Sequence, residues 1–208
     1  MPTFLYDGPP SASTTILLAH GAGAPMDSDW MNLVAAELGE RDLRVARFEF
    51  AYMAARRDGQ RPPPAPANKL IAEYLAAIAA LEASGRLVIG GKSLGGRMAS
   101  MIGQKLFQDR RIVGLLCLGY PFHPPGNAQK LRTDHLTPLT APTLICQGER
   151  DPFGTREEVS AYPLSASTQL YWLEDGDHDL RPRKASGKTF QDNITAACDQ
   201  VKTWCAGL

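Results

Sequence analysis

The sequence predicts an α/β protein built on a mostly parallel central sheet of about six to seven strands, with helices on both faces. Three observations carry this. Apolar runs of strand length at residues 14–19, 43–50, 87–89, 112–118, 143–147 and 170–173 alternate with segments whose apolar residues recur every three or four positions. The run at 87–89 is apolar throughout, as a parallel strand buried on both faces requires. Several runs also end in loops of glycine and small polar residues, and in a parallel sheet such loops gather at one edge.

The chain of 208 residues is read as a single domain, 1–208, large enough to bury roughly 70% of its unfolded surface. Lys and Arg balance Asp and Glu at 22 each, which favours neither nucleic acid nor an anionic membrane as partner and leaves a small molecule. The first residues lack a basic stretch followed by an apolar segment, and no apolar run approaches the ~20 residues of a membrane span, so a cytoplasmic protein is expected. Of the four cysteines, Cys117 and Cys146 fall in strand-like runs and Cys198 and Cys205 on one helical pattern, which reads as buried reduced thiols. No H-x-x-x-H or C-x-x-C spacing occurs, so no metal or other cofactor is expected.

Taken in order, residues 4–6 form an edge strand before the turn at Gly8-Pro9-Pro10. Residues 14–19 form a central strand that runs into His20-Gly21-Ala22-Gly23-Ala24-Pro25, a loop too rich in small residues to serve packing. Asp27 or Ser28 caps a helix carrying Met31, Val34 and Leu38, which Gly39 ends. After the strand at 43–50 the periodicity breaks. Residues 51–67 mix aromatic, basic and proline residues and are read as a flap beside the site, with Tyr52 and Met53 as pocket walls, or as a proline-stiffened surface excursion. Asn68 caps a helix with the stripe Leu70, Tyr74, Leu75, Ile78 and Leu81, which Gly85 closes. Thr155 and Glu158 form a capping-box pair. The last helix docks through Phe190, Ile194, Ala197, Val201 and Trp204.

The chemistry centres on Gly91-Lys92-Ser93-Leu94-Gly95. This fits G-x-S-x-G, in which a serine sits on a sharp strand-to-helix turn, and Met98, Ile102 and Leu106 continue it as a helix. The turn aims the free N–H groups of the helix start at whatever the serine attacks. Leu94 is thus one candidate oxyanion donor and Ala22, in the loop after the central strand, the second. A phosphate-binding loop is excluded, because it needs glycine where Arg86 stands, and the residues between belong to the strand.

A serine hydroxyl needs an imidazole to take its proton and a carboxylate to orient that imidazole. Of four histidines, His178 follows the last strand between two aspartates in a glycine loop. Asp151 stands at a strand end, while Asp175, Asp177 and Asp179 lie too close to His178 along one loop to reach its far nitrogen. The order Ser93, Asp151, His178 is that of the α/β-hydrolases. Loops at the same edge supply candidate substrate contacts in His20, Tyr52, Met53, Phe122, His123 and Phe153. Lys92, Arg56, Arg57, Arg97 and Arg181 are candidates for holding an anionic substrate.

With these residues in place the chain resembles a small α/β-hydrolase of the dienelactone-hydrolase-like kind. More narrowly, it is similar to a bacterial family of uncharacterised predicted hydrolases related to the testis-expressed hydrolase-like proteins of animals. The resemblance rests on His20-Gly21-Ala22-Gly23-Ala24-Pro25-Met26-Asp27, Gly90-Gly91-Lys92-Ser93-Leu94-Gly95-Gly96-Arg97, Gly119-Tyr120-Pro121-Phe122-His123-Pro124-Pro125-Gly126, Gln147-Gly148-Glu149-Arg150-Asp151-Pro152-Phe153-Gly154 and Gly176-Asp177-His178-Asp179-Leu180. It implies an α/β-hydrolase fold with a minimal lid, with Ser93 as nucleophile, His178 as base and Asp151 as acid. It further implies an acyl-enzyme hydrolase acting on a small carboxylic ester, thioester or lactone. The alternative it leaves open is a catalytically idle scaffold or binding protein. One departure is Ala51, where such relatives are expected to carry proline before Tyr52.

Overall fold

The computed structural model describes residues 2–83 and 85–208. The chain runs β1 (Phe4–Asp7), β2 (Thr14–Ala19), α1 (Asp29–Gly39), β3 (Arg44–Phe48), α2 (Ala51–Arg57), α3 (Ala67–Ala80), β4 (Arg86–Lys92) and α4 (Leu94–Gln108). It continues through β5 (Gly114–Leu118), β6 (Thr143–Gly148), α5 (Arg156–Val159), β7 (Thr168–Leu173) and α6 (Phe190–Ala206). The strands form one seven-stranded sheet in the order β1-β3-β2-β4-β5-β6-β7, parallel except for β1, which pairs antiparallel with β3 at the edge.

Strand side chains alternate between two apolar layers, as the two-residue period demands. Leu17, Ile89, Leu115 and Ile145 point into the layer shared with α3 and α4, where Tyr74 and Met98 are buried. Ile16, Leu18, Val88, Leu116 and Leu144 point into the layer shared with α1 and α6, where Val34, Ile194 and Val201 are buried. All four cysteines are free and buried. Burial pushes the Cys117 thiol up to about 12, which leaves it protonated and inert at neutral pH. No helix among the described residues is long and apolar enough to cross a membrane.

Several elements differ from expectation for identifiable reasons. The strand expected at 43–50 ends at Phe48, because the Phe50 N–H leaves the ladder and donates to His20 Nε2 at 3.1 Å. The segment at 51–67, expected as a flap beside the site or a surface excursion, supplies no wall of the cavity at Ser93. It begins with the seven-residue helix α2, drawn inward by Tyr52 and Met53, and the rings of Phe50, Tyr52 and His20 pack together. The Ala51 N–H donates to Glu73 Oε2 at 2.8 Å, a bond that proline at this position would lack. Helix α3 follows an extended Pro66 and has no side-chain cap, so Asn68 does not cap it. Its buried face is Leu70, Tyr74, Ala77 and Ile78, with Leu81 just beyond, and the 3.6-residue period turns Leu75 outward. Gly85 lies beyond the helix end; its φ is +74, where a side chain is strained, and a Cβ there would lie 2.3 Å from the Ser13 carbonyl oxygen.

From β2 the chain crosses to β3 on one side and returns to β4 on the other. In open α/β sheets the crevice at such a reversal, outside the carboxyl ends of the strands, is where ligands bind. Here that crevice lies between the loop at 20–25 and the turn at Ser93.

Candidate active site

Ser93 occupies the junction of β4 and α4 with φ 49° and ψ −109°, a left-handed conformation that costs a non-glycine residue about 1–3 kcal/mol. The surrounding structure imposes it. Ser93 N–H donates to Leu118 O at 3.0 Å, and Arg97 N–H takes Ser93 O at 3.0 Å as the first helical bond. The flanking glycines let the turn press directly on β2: a Cβ at Gly91 would lie 2.2 Å, and one at Gly95 2.3 Å, from the Ala19 carbonyl oxygen. As first residue of α4, Leu94 presents one of the N–H groups that a helix leaves without an intrahelical acceptor.

The structure brings Ser93, His178 and Asp151 together from the ends of β4, β7 and β6. Ser93 Oγ lies 2.8 Å from His178 Nε2, and His178 Nδ1 lies 2.7 Å from Asp151 Oδ2. The carboxylate can only accept from Nδ1–H, so Nε2 is left free to accept the serine proton. Asp151 is completely buried, and each oxygen is held: Oδ1 accepts from Phe153 N–H at 2.8 Å and Oδ2 from Gln147 Nε2 at 2.8 Å. Gln147 is itself oriented by the Tyr120 N–H, which donates to its Oε1 at 2.6 Å. The Phe153 ring lies against the His178 imidazole, with centroids 4.2 Å apart.

These groups open on a cavity of about 520 Å³ whose walls include Ala22, Trp30, Lys92, Phe153 and Asp179. Trp30 Nε1 donates to Asp179 O at 2.9 Å and ties α1 to the His178 loop. Lys92 Nζ donates to His178 O and pairs with Asp179 at 3.2 Å. Burial lowers the Lys92 pKa and the Asp179 carboxylate opposes that shift. Of the residues expected from sequence, Ala22 and Phe153 line the cavity with Ser93 and His178. The roles of Trp30 and Gln147 were missed: Gln147 stands in the segment 147–154 that carries the resemblance, but no spacing or period there points to a bond with Asp151, whereas the position of Trp30 in the first turn after the His20 loop is a usable signal.

His20, Tyr52, Met53, Phe122 and His123 are buried and are not among the cavity walls, which corrects their expected contact with substrate. His20 and Tyr52 act from beneath. His20 Nδ1–H donates to Gly21 O at 2.6 Å, and the Tyr52 hydroxyl donates to Ala22 O at 3.2 Å. Together they fix the peptide planes of the loop that carries the Ala22 N–H. Phe122 packs between Tyr120 and Tyr162. His123 is held between Pro124 O and Glu158.

Burial lowers the His20 pKa, so the unfolded chain takes up a proton first on acidification. The associated stability is complete above the unfolded histidine value and is lost as pH falls below about 6.5, at most about 1.4 kcal/mol per pH unit. His135 is shifted the same way, by burial and then by Arg97. Urea midpoints at about pH 7.5 and pH 5.5 should therefore drop more for the native chain than for His20→Gln. Equal drops would remove His20 as a source of acid sensitivity.

The expected basic cluster is not at the cavity, apart from Lys92. Arg57 is committed to Asp27 and Glu49 at 2.7 and 2.8 Å, Arg56 donates to Pro62 O, and Arg181 lies over the Phe190 ring at 3.8 Å. Arg97 faces a different cavity.

A family model for the alpha/beta hydrolase domain matches residues 12–206. Among solved structures, a dienelactone hydrolase from Anabaena variabilis overlays with a TM-score of 0.73 at 19% identity, over 97% of this chain and 89% of that one. An alpha-beta serine hydrolase homologue from Coxiella burnetii gives 0.71 at 16% identity over 97% and 89%. Est1E from Butyrivibrio proteoclasticus, also solved with ferulic acid bound, gives 0.69 at 15% identity over 98% and 94%. At these identities the overlays speak for the fold, and the sequence match agrees with them: the chain belongs to the alpha/beta hydrolase family.

Proposed function

We propose that this protein is a serine hydrolase that cleaves a small, uncharged carboxylic ester, thioester or lactone through an acyl-enzyme. The observation that carries the reading is the continuous relay from Ser93 through His178 to the buried Asp151, at 2.8 and 2.7 Å, opening on the cavity. Ser93 Oγ attacks the carbonyl carbon while His178 Nε2 takes its proton, and Asp151 stabilises the imidazolium. The N–H groups of Leu94 and Ala22 receive the developing oxyanion. The imidazolium then protonates the leaving alcohol or thiol, and water, activated by the same imidazole, releases the acid.

The test is covalent labelling of the purified protein by a fluorophosphonate, read by intact mass. The native chain is expected to gain one label that Ser93→Ala and His178→Ala both abolish. A folded native chain that stays unlabelled would favour the idle binding protein instead.

The cavity walls also bear on substrate charge. The Lys92 cation is paired with Asp179, and Asp29 adds a second carboxylate to the wall. A neutral acetate ester is therefore expected to be turned over with a higher kcat/KM than the matching succinate monoester. Preference for the succinate would show that Lys92 is available to an anion.

A further inference from the structure

A second cavity, of about 400 Å³, lies beside α4 and shares no wall residue with the one at Ser93. Arg97 from α4 meets Lys130, Arg132 and His135 from the β5–β6 connection, and Asp134 is the single carboxylate in its walls. We propose that this cavity is a binding site for a phosphate group, carried by a small organic monoester or present as the free ion.

The charges have no internal use. Among the described residues no carboxylate forms an ion pair with Arg97, Lys130 or Arg132. Arg97 Nε is buried with no hydrogen-bond partner, so the guanidinium is held with part of its donor capacity unmet inside the protein. The two guanidiniums are close enough to act on each other: burial first, and the Arg97 charge second, lower the Arg132 pKa. Like charges held together with no carboxylate in ion-pair contact are a destabilising arrangement that a bound dianion reverses.

The backbone beneath is built to hold its shape. Arg132 N–H donates to Phe122 O at 2.8 Å, and Arg132 O accepts from the buried Tyr120 hydroxyl at 2.9 Å. His135 Nε2 lies 2.8 Å from Ser100 Oγ, whose hydroxyl donates to Arg97 O. Loop and helix are thus pinned to each other, so little ordering cost remains for a ligand to meet. Planar guanidinium forks match the oxygens of a phosphate in pairs, which a carboxylate exploits at only one fork. The volume exceeds that of a bare phosphate and leaves room for an attached organic group.

The experiment is calorimetric titration of the full chain at low salt with glycerol 3-phosphate and, separately, inorganic phosphate. Variants are Arg132→Gln, Arg97→Gln and, as a control on the exposed side of α3, Lys69→Gln. One site per chain with a Kd of about 1 mM or tighter is expected for at least one probe. Arg132→Gln and Arg97→Gln should each weaken it tenfold or more, and Lys69→Gln should leave it unchanged. Tighter binding of the monoester assigns an organic phosphate, and equal or tighter binding of inorganic phosphate assigns the free ion; both support the site. Should Arg97→Gln fail to fold, Arg132→Gln decides. Absence of saturable binding by both probes, or native affinity in Arg132→Gln, overturns the proposal. The titration needs no hydrolytic turnover, so its outcome is independent of the labelling result at Ser93.

Discussion

Replacing Asp151 by Asn is expected to lower kcat by about ten-thousand-fold while leaving the chain folded. The residue accepts three hydrogen bonds and donates none: Phe153 N–H on Oδ1, and Gln147 Nε2 and His178 Nδ1 on Oδ2. An amide cannot satisfy that pattern. Gln147 cannot turn over to help, because its Oε1 is held by the Tyr120 N–H. If the new NH₂ group faces His178, the imidazole must accept on Nδ1 and carry its proton on Nε2, where it can no longer take one from Ser93. If the NH₂ faces Phe153 instead, two donors oppose each other in a fully buried place, costing about 1–3 kcal/mol of stability. In both orientations the negative charge that would stabilise the imidazolium is gone.

Kinetics on the variant, with thermal melting as a control for folding, check this. A fall in kcat of less than about tenfold would mean that another carboxylate supports His178. The neighbouring aspartates are poorly placed to do so. Asp175 is occupied by Arg183 and Arg150, and Asp177 Oδ1 accepts the N–H groups of Asp179 and Arg181. Their carboxylates shape the loop that carries His178, which is a structural use for residues that the sequence could present only as rival acids.

The meeting of Ser93, Asp151 and His178 was legible because each follows a recognisable apolar strand, and strand ends in a parallel sheet converge whatever their distance along the chain. Which side chains would face the substrate was not. His20, Tyr52, Phe122 and His123 all sit at the correct edge, yet each is turned inward by a partner elsewhere: Phe50 N–H for His20, Ala22 O for Tyr52, flanking rings for Phe122, Glu158 for His123. Such orientations depend on contacts between loops, for which the local periodicity of a sequence holds no signal. Helix α2 escaped detection for a related reason. Seven residues with one adjacent pair of buried side chains, Tyr52 and Met53, are too short to display a helical repeat.

Gly95→Ala is expected to damage stability and activity together. A Cβ here would lie 2.3 Å from the Ala19 carbonyl oxygen and 2.8 Å from the Ala19 Cβ. Neither neighbour is the movable end of a long side chain. Ala19 belongs to the buried central strand β2, paired on one side with β3 and on the other with β4. Helix α4 must therefore back away from the sheet, at a cost of about 3 kcal/mol and roughly 6–12 °C in Tm for a chain of this size. The same shift moves Ser93 relative to His178 and Leu94 relative to Ala22. A displacement near 1 Å at reacting groups costs about a hundredfold in rate. Gly23→Ala is the matched control, since nothing lies within 4 Å of a Cβ there and its stability should be unchanged. Melting curves and ester hydrolysis on both variants separate the possibilities. A Gly95→Ala chain of native stability would mean that the turn is held by something other than its contact with β2, and a destabilised chain with native kcat would mean that α4 can retreat without carrying the serine with it.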